Sequence, residues 1–364
     1  MLRHLGRLLA LALALGATCV EGVDRDSAER LIGWQGETYQ PRKSEEVERD
    51  AHPSLHSADE SHRKGWLQMI SWKPRAIVYH NFLSDMEARH ILDLAKHQMK
   101  RSEVVGNGDN GVVDDIRTSY GTFLRRNADP VINAIEQRLA LWSHIPASHQ
   151  EDTQVLRYGP TNKYGPHLDG LERVASVLMY LVAPEEGGET AFVNSEWAHP
   201  DIAINAGASN FSKCAQGHVA YRPKRGDALL FFDTNVDYIG TDRHSEHTGC
   251  PVVKGIKWNA VKWIHGVPYK GDEYEEALKA PFTAMPDPGV CQNLHEMCEE
   301  WAKQGECEHN PEYMVGGVGR GGYGDCRLAC KTCTVCAEGD MECYRQNRVT
   351  GGFLDVDESE LEFH

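Results

Sequence analysis

Hydrophobic positions recur with two different periods along this chain, and the change between them divides it. Order is expected from Trp66, and Ala76-Ile-Val-Tyr79 has the β-branched and aromatic content of a first strand. Ser84-Asp-Met-Glu87 is a capping box opening an amphipathic helix that carries Ile91, Leu94, Ala95 and Met99 on one stripe. Asp129-Pro130, a cap followed by proline at the first helical position, opens a second helix with Val131, Ile135, Leu139 and Trp142 at helical spacing. Between them, Arg101 to Arg117 is rich in Gly, Asn and Asp and reads either as a lid or as a surface excursion. From Gln154 the helical period gives way to short β-rich runs at Thr153–Tyr158, Arg173–Val182, His218–Tyr221, Ala228–Phe232 and Lys257–His265. Turns at Glu186-Gly-Gly188 and Pro223-Lys-Arg-Gly226 punctuate them. The pattern predicts a mainly β, α+β fold in which strands form a sandwich or barrel and helices flank it.

The ends of the chain depart from this pattern. Residues 1–22, with Arg3 and Arg7 ahead of an apolar run from Leu8 to about Val20, predict a signal peptide, with a signal anchor as the alternative. Residues 23–64 are charged and aperiodic, a disordered lead-in by composition. The main domain is then 65–270, followed by a linker at 271–290, a cysteine-rich module at 291–333 and an acidic tail at 334–364 expected to be loose. Eleven cysteines suit an oxidising lumen. Asn210-Phe-Ser212 is a glycosylation sequon used only in that route. The expected location is the endoplasmic reticulum lumen or secretory pathway, with attachment to its membrane only if the N-terminal segment is retained. A net charge of -16 without Lys/Arg clusters excludes a nucleic-acid partner and reads as a solvated surface. Nothing in the sequence bears on oligomeric state.

Candidate chemistry centres on His167-Leu-Asp169. On an extended strand these two side chains share a face, and one further histidine would complete a two-His, one-carboxylate facial triad for iron. With 18 His and 54 acidic residues the dipeptide pattern is common, recurring at His149/Glu151, His199/Asp201 and His244/Glu246. The third ligand has two candidates, His244 and His247, each with a lysine ten residues downstream, Lys254 and Lys257. Lys254-Gly255 reads as a turn, whereas Lys257 opens a strand on which Lys257, Asn259, Val261 and Trp263 share one face. A lysine on the inward face of a half-buried strand needs an anionic partner, which the carboxylate of a cosubstrate would supply.

The stretches SWKPRAIVYHNFLS, RTSYGTFL, QVLRYGPTNKYGPHLD, RVASVLMYL, EEGGET, RPKRGDALLFF and HTGCPVVKGIKWNAVKWIH resemble the catalytic domain of plant and algal prolyl 4-hydroxylases over about Ser71 to Val267. The resemblance implies a double-stranded β-helix (jelly-roll) core. It makes His167, Asp169 and His247 the iron ligands, and Lys257 the partner of the distal carboxylate of 2-oxoglutarate, assisted by Thr190 and Tyr158 with Trp263 nearby. Tyr164 and Arg173 fall where the family places peptide-binding residues. The implied cofactors are Fe(II), 2-oxoglutarate, O2 and L-ascorbate. Peptidyl proline in proline-rich secreted proteins would be hydroxylated at C4 as 2-oxoglutarate is converted to succinate and CO2. Two other readings stay open: the same chemistry on lysine or on proline C3, and a non-catalytic protein that binds proline-rich chains.

Six cysteines of the C-terminal region, with WAKQGEC and NPEYM, resemble a ShKT domain, a small module stapled by its bridges. Spacing alone leaves the connectivity open. The resemblance implies Cys291–Cys333, Cys298–Cys326 and Cys307–Cys330, and related enzymes carry a bridge at the positions of Cys214 and Cys250. Cys336 and Cys343 are free to pair with each other. A zinc site built on CRLACKTCTVC is the competing reading.

Overall fold

The computed structural model describes residues 65–362 other than 106–110, 113, 171, 238, 281–284 and 317–322. The N-terminal apolar run and the charged lead-in lie outside the described residues.

Thirteen strands matter for the site: β1 Trp66–Lys73, β2 Arg75–His80, β3 Lys100–Arg101, β4 Tyr120–Leu124, β5 Thr153–Tyr158, β6 Tyr164–His167, β7 Arg173–Val182, β8 Thr190–Phe192, β9 Glu196–Trp197, β10 Val219–Tyr221, β11 Ala228–Phe232, β12 His247–Gly249 and β13 Lys257–His265. They form a nine-stranded sheet in the order β9-β1-β2-β11-β7-β13-β5-β4-β3 and a four-stranded sheet in the order β10-β8-β12-β6. Every pairing within these two sheets is antiparallel. Apolar side chains from both sheets, among them Val78, Leu178, Tyr180, Phe192, Val219, Phe231 and Val261, meet in one buried cluster. This is the sandwich that the strand pattern predicts, in the jelly-roll form that the resemblance implies.

Two helices, α1 Asp85–Ala95 and α2 Pro130–Ser143, belong to the same unit. The capping box of α1 is present in both directions, Ser84 to Glu87 and back. Its buried stripe differs from the sequence reading by one position, since Leu92 is buried and Leu94 is half-buried. Likewise Ile132 is buried on α2 and Val131 is not. Strand β13 is buried on both faces along all nine of its residues. One face looks at α2, where Lys262 Nζ lies 2.6 Å from Glu136 Oε1. The other carries Lys257, Asn259, Val261 and Trp263.

The C-terminal region is more ordered than its composition suggests. The linker contains a helix, α3 Gly271–Lys279, anchored by buried Tyr274. The structure pairs Cys291 with Cys333, Cys298 with Cys326, Cys307 with Cys330 and Cys336 with Cys343, so the zinc reading is set aside. The expectation of a loose tail is corrected. Residues Met341–Thr350 form helix α4, and a 3₁₀ turn follows at Glu358–Leu361. The acidic residues there meet bases: Glu358 pairs with Lys96 at 2.8 Å, and Glu360 takes two bonds from Arg157 of β5 at 2.7 and 2.6 Å. Buried Phe353 and Leu361 add apolar anchors.

Candidate active site

His167, the last residue of β6, and His247, the first of β12, are direct register partners across the smaller sheet. Asp169 stands beyond the end of β6. The period-two argument, which ran a strand through it, is corrected: Gly170 N–H donates to Leu168 O at 3.0 Å, and this tight turn lifts the chain out of the sheet. The carboxylate still converges on the histidines. His167 Nε2 lies 3.7 Å from Asp169 Oδ1, His247 Nε2 lies 3.9 Å from Oδ2, and the ligating atoms of all three lie within 4.8 Å of one another.

Neighbouring carbonyls fix both imidazole tautomers. Gly165 O is 2.8 Å from His167 Nδ1 and Ser245 O is 3.0 Å from His247 Nδ1. A carbonyl only accepts, so each Nδ1 carries the hydrogen and each Nε2 offers a lone pair inward. Burial, reinforced by the neighbouring His247 imidazole, pushes the His167 pKa down to about 3, so this ring is neutral and able to ligate. For Asp169, burial opposes ionisation, but His247, His167 and the hydroxyl of Ser176 together hold its pKa below the ordinary value. Ser176 Oγ and Trp263 Nε1 lie 2.8 and 3.0 Å from Asp169 Oδ2. Behind Ser176, burial and the charge of Asp169 raise the pKa of Asp233 well above its ordinary value.

Lys257 lines the same cavity and is 3% exposed. Its Nζ donates to Gly188 O at 2.8 Å, a carbonyl presented by a turn in which Gly187 and Gly188 take φ of 77° and 70°, open to glycine at little cost. Tyr158 and Tyr180 rings lie 5.3 and 5.7 Å from the ammonium. Among the described residues no carboxylate lies within ion-pair distance of it. Burial therefore lowers its pKa to about 7, with the charge of Glu189 opposing only in part. An imidazole pair with preset lone pairs, one carboxylate and an uncompensated cation in the same cavity fit a divalent metal bound beside an anionic cosubstrate.

The remaining predicted residues surround this core. Tyr158 and Thr190 line the cavity, and Tyr180 Oη donates to Thr190 Oγ1 at 3.0 Å. Tyr164 stacks on His167 with centroids 3.7 Å apart and carries the Arg117 guanidinium on its ring at 4.7 Å. Arg173 lies 3.8 Å over the Trp263 ring and donates to both oxygens of Glu151, at 2.7 and 3.1 Å. His244, the rejected alternative, is an exposed residue bonded to Asp242, and Lys254 is an exposed partner of Glu185. Asn210 is exposed on a short 3₁₀ turn.

Sequence reasoning missed Arg117, Glu151 and His265. His265 Nε2 lies 2.8 Å from Glu151 Oε1, and this carboxylate holds Arg173 as well. The alternation that selects Lys257 continues along β13 to His265 and would have found it. Arg117 and Glu151 come from segments outside the predicted strands, with no local signal. The Arg101–Arg117 loop ends as a wall of the site: Ile116 O accepts from Gly165 N at 2.8 Å, and a Cβ on Gly165 would stand 2.7 Å from Ile116 Cγ1.

Residues 153–265 match the 2OG-Fe(II) oxygenase superfamily. Prolyl 4-hydroxylase 2 of Arabidopsis thaliana is 41% identical over 280 residues, spanning 73% of this chain and 88% of that protein. Probable prolyl 4-hydroxylase 4 of the same plant is 40% identical over 279 residues, with the same coverage of 73% and 88%. Among solved structures, the viral collagen prolyl hydroxylase of Paramecium Bursaria Chlorella virus-1 in its 2OG complex is 24% identical, covers 53% of this chain and 96% of its own, and has a TM-score of 0.38. The triad and the buried lysine thus lie within a stretch shared with the plant enzymes, and the chain belongs to the prolyl 4-hydroxylase family of 2OG-Fe(II) oxygenases.

Proposed function

We propose that this protein is a dioxygenase that hydroxylates peptidyl proline at C4 in proline-rich secreted chains. The observation that carries this reading is the pairing of the His167/Asp169/His247 cluster with a buried lysine that meets no carboxylate among the described residues. His167, Asp169 and His247 would hold Fe(II), and Lys257 would take the distal carboxylate of 2-oxoglutarate, with Tyr158 and Thr190 beside it. When bound, iron and 2-oxoglutarate supply O2 activation coupled to decarboxylation of 2-oxoglutarate to succinate and CO2, with transfer of one oxygen atom to proline. The chain's own part is placement: fixed tautomers aim the ligands, Lys257 fixes the cosubstrate, and the cavity walls Leu156, Leu178, Val261 and Trp263 limit access of water.

Trp263 lines the cavity near Lys257, while Tyr164, stacked on His167, and Arg173 would contact the peptide, an aromatic and a cationic group suited to a preordered polyproline-II backbone. L-ascorbate would restore iron oxidised in uncoupled turnovers. The bridges Cys214–Cys250 and Cys291–Cys333 and the exposed Asn210 sequon support residence in the endoplasmic reticulum lumen, soluble or held at the membrane by the N-terminal segment. The region 291–333 is read as a ShKT-like module, on cysteine spacing and bridge pattern. Purified protein with Fe(II), 2-oxoglutarate, ascorbate and a poly-proline peptide in air should release succinate above a no-peptide control, and mass spectrometry should place the added oxygen on proline C4. Oxygen on lysine or on C3 would reassign the target. Iron binding indifferent to His247→Ala would favour the non-catalytic alternative.

A further inference from the structure

We propose that Asp233, through the hydroxyl of Ser176, is a positioning residue for the metal ligand Asp169. The inference rests on the metal-site reading above. Ser176 sits on β7, and its Oγ lies 2.8 Å from Asp169 Oδ2 and 2.8 Å from Asp233 Oδ2. Hydrogen counting decides what this contact means. A serine hydroxyl has one hydrogen and can donate to only one of two carboxyl oxygens; toward the other it must accept, which requires that carboxyl group to carry the proton.

The two acids are not equivalent. Asp169 Oδ2 also receives the indole N–H of Trp263 at 3.0 Å, and both imidazole Nε2 atoms face this carboxylate. Asp233 is 0% exposed, its Oδ1 has no hydrogen-bond partner, and among the described residues no basic side chain lies within ion-pair distance. A buried carboxylate with one neutral donor is strongly disfavoured, whereas a buried carboxylic acid that donates is not. The relay therefore runs from the Asp233 hydroxyl to Ser176 Oγ, and from the Ser176 hydroxyl to Asp169 Oδ2.

Two donors, Ser176 and Trp263, then engage the same oxygen of Asp169. This sets the rotation of the carboxylate and leaves Oδ1 for a cation. A neutral Asp233 also keeps a second negative charge out of the site.

The test uses the full-length apoprotein and Co(II), whose visible absorption reports ligand geometry independently of turnover. Ser176→Ala and Asp233→Ala should each weaken Co(II) affinity by roughly 10- to 100-fold, the usual loss when an outer-shell partner of a metal ligand is removed, and should shift the absorption band. The double variant should be no weaker than Ser176→Ala, because both changes cut one chain. Asp233→Asn supplies an amide N–H in place of the acid O–H and should stay within about threefold of wild type. If Asp233→Ala does not fold, Ser176→Ala and Asp233→Asn decide. Affinity and spectrum unchanged in Ser176→Ala, or Asp233→Asn as damaging as removal of the Ser176 hydroxyl, would overturn the relay while leaving the metal site standing. Wild type that takes up no Co(II), or binding insensitive to His247→Ala, would overturn both.

Discussion

Strand β13 buries two lysines on opposite faces, and their surroundings could hardly differ more. Lys262 is 0% exposed and meets Glu136 at 2.6 Å, with Thr153 Oγ1 as a second acceptor at 3.1 Å. Lys257, five residues earlier, is 3% exposed and donates to the Gly188 carbonyl beside the Tyr158 and Tyr180 rings, with no carboxylate partner among the described residues. Burial of an ammonium is tolerated when a carboxylate is buried with it. Where none is, the fold carries a destabilising feature that makes sense only with a ligand, and this is the physical difference between a structural charge and a waiting one.

The largest effect should come from the completed pair. Lys262→Met strands Glu136 and should destabilise the fold by about 3–5 kcal/mol in chemical denaturation, while 2-oxoglutarate affinity of the folded fraction stays at the wild-type value. Changing Glu136→Leu as well should recover much of the loss.

Lys257→Met should do the reverse. By removing an unpaired buried cation it should stabilise the apoprotein by about 2–4 kcal/mol. It should also weaken 2-oxoglutarate binding on the order of a hundredfold, read by anaerobic titration calorimetry. A Lys257→Met chain that binds 2-oxoglutarate as wild type does would erase the distinction between the faces.

The pH dependence sharpens the same contrast. Lys257 has a pKa of about 7 in the folded chain, whereas an exposed lysine titrates near ~10.4. Between those values the unfolded chain binds the extra proton, so apoprotein stability should climb with pH, by at most about 1.4 kcal/mol per unit. Below pH 7 both states are protonated and this contribution is flat. The climb should vanish in Lys257→Met, and should flatten when metal and 2-oxoglutarate are bound, because the cosubstrate carboxylate keeps the lysine charged.

The smallest effect belongs to a pair near the surface. Glu360→Gln breaks the fork between Arg157 and the C-terminal turn and should cost about 1 kcal/mol in thermal unfolding.

The two lysines also show what could be read before the fold was known. Alternation along KWNAVKWIH placed Lys257 and Trp263 on one face, and turn chemistry separated Lys257 from Lys254, because both signals are local to a few residues. Helix caps at Ser84 and Asp129 were legible for the same reason. Partners across the fold were not. Nothing near Arg173 announces Glu151, nothing near Ser176 announces Asp233, and the acidity of the tail gave no hint that Glu358 and Glu360 would meet Lys96 and Arg157. Such contacts are fixed by sheet order, which a single sequence does not display.

Cys250 immediately follows β12, the strand that begins with His247, and its bridge to Cys214 pins that strand end to the loop after Asn210. The bridge thereby holds in place the strand that would supply the third metal ligand. A chain matured in a reducing cytosol keeps all three ligands in its sequence but presents the third on an untethered strand end. Reducing this bridge should therefore weaken metal uptake, checked by comparing Co(II) binding of the oxidised and reduced protein.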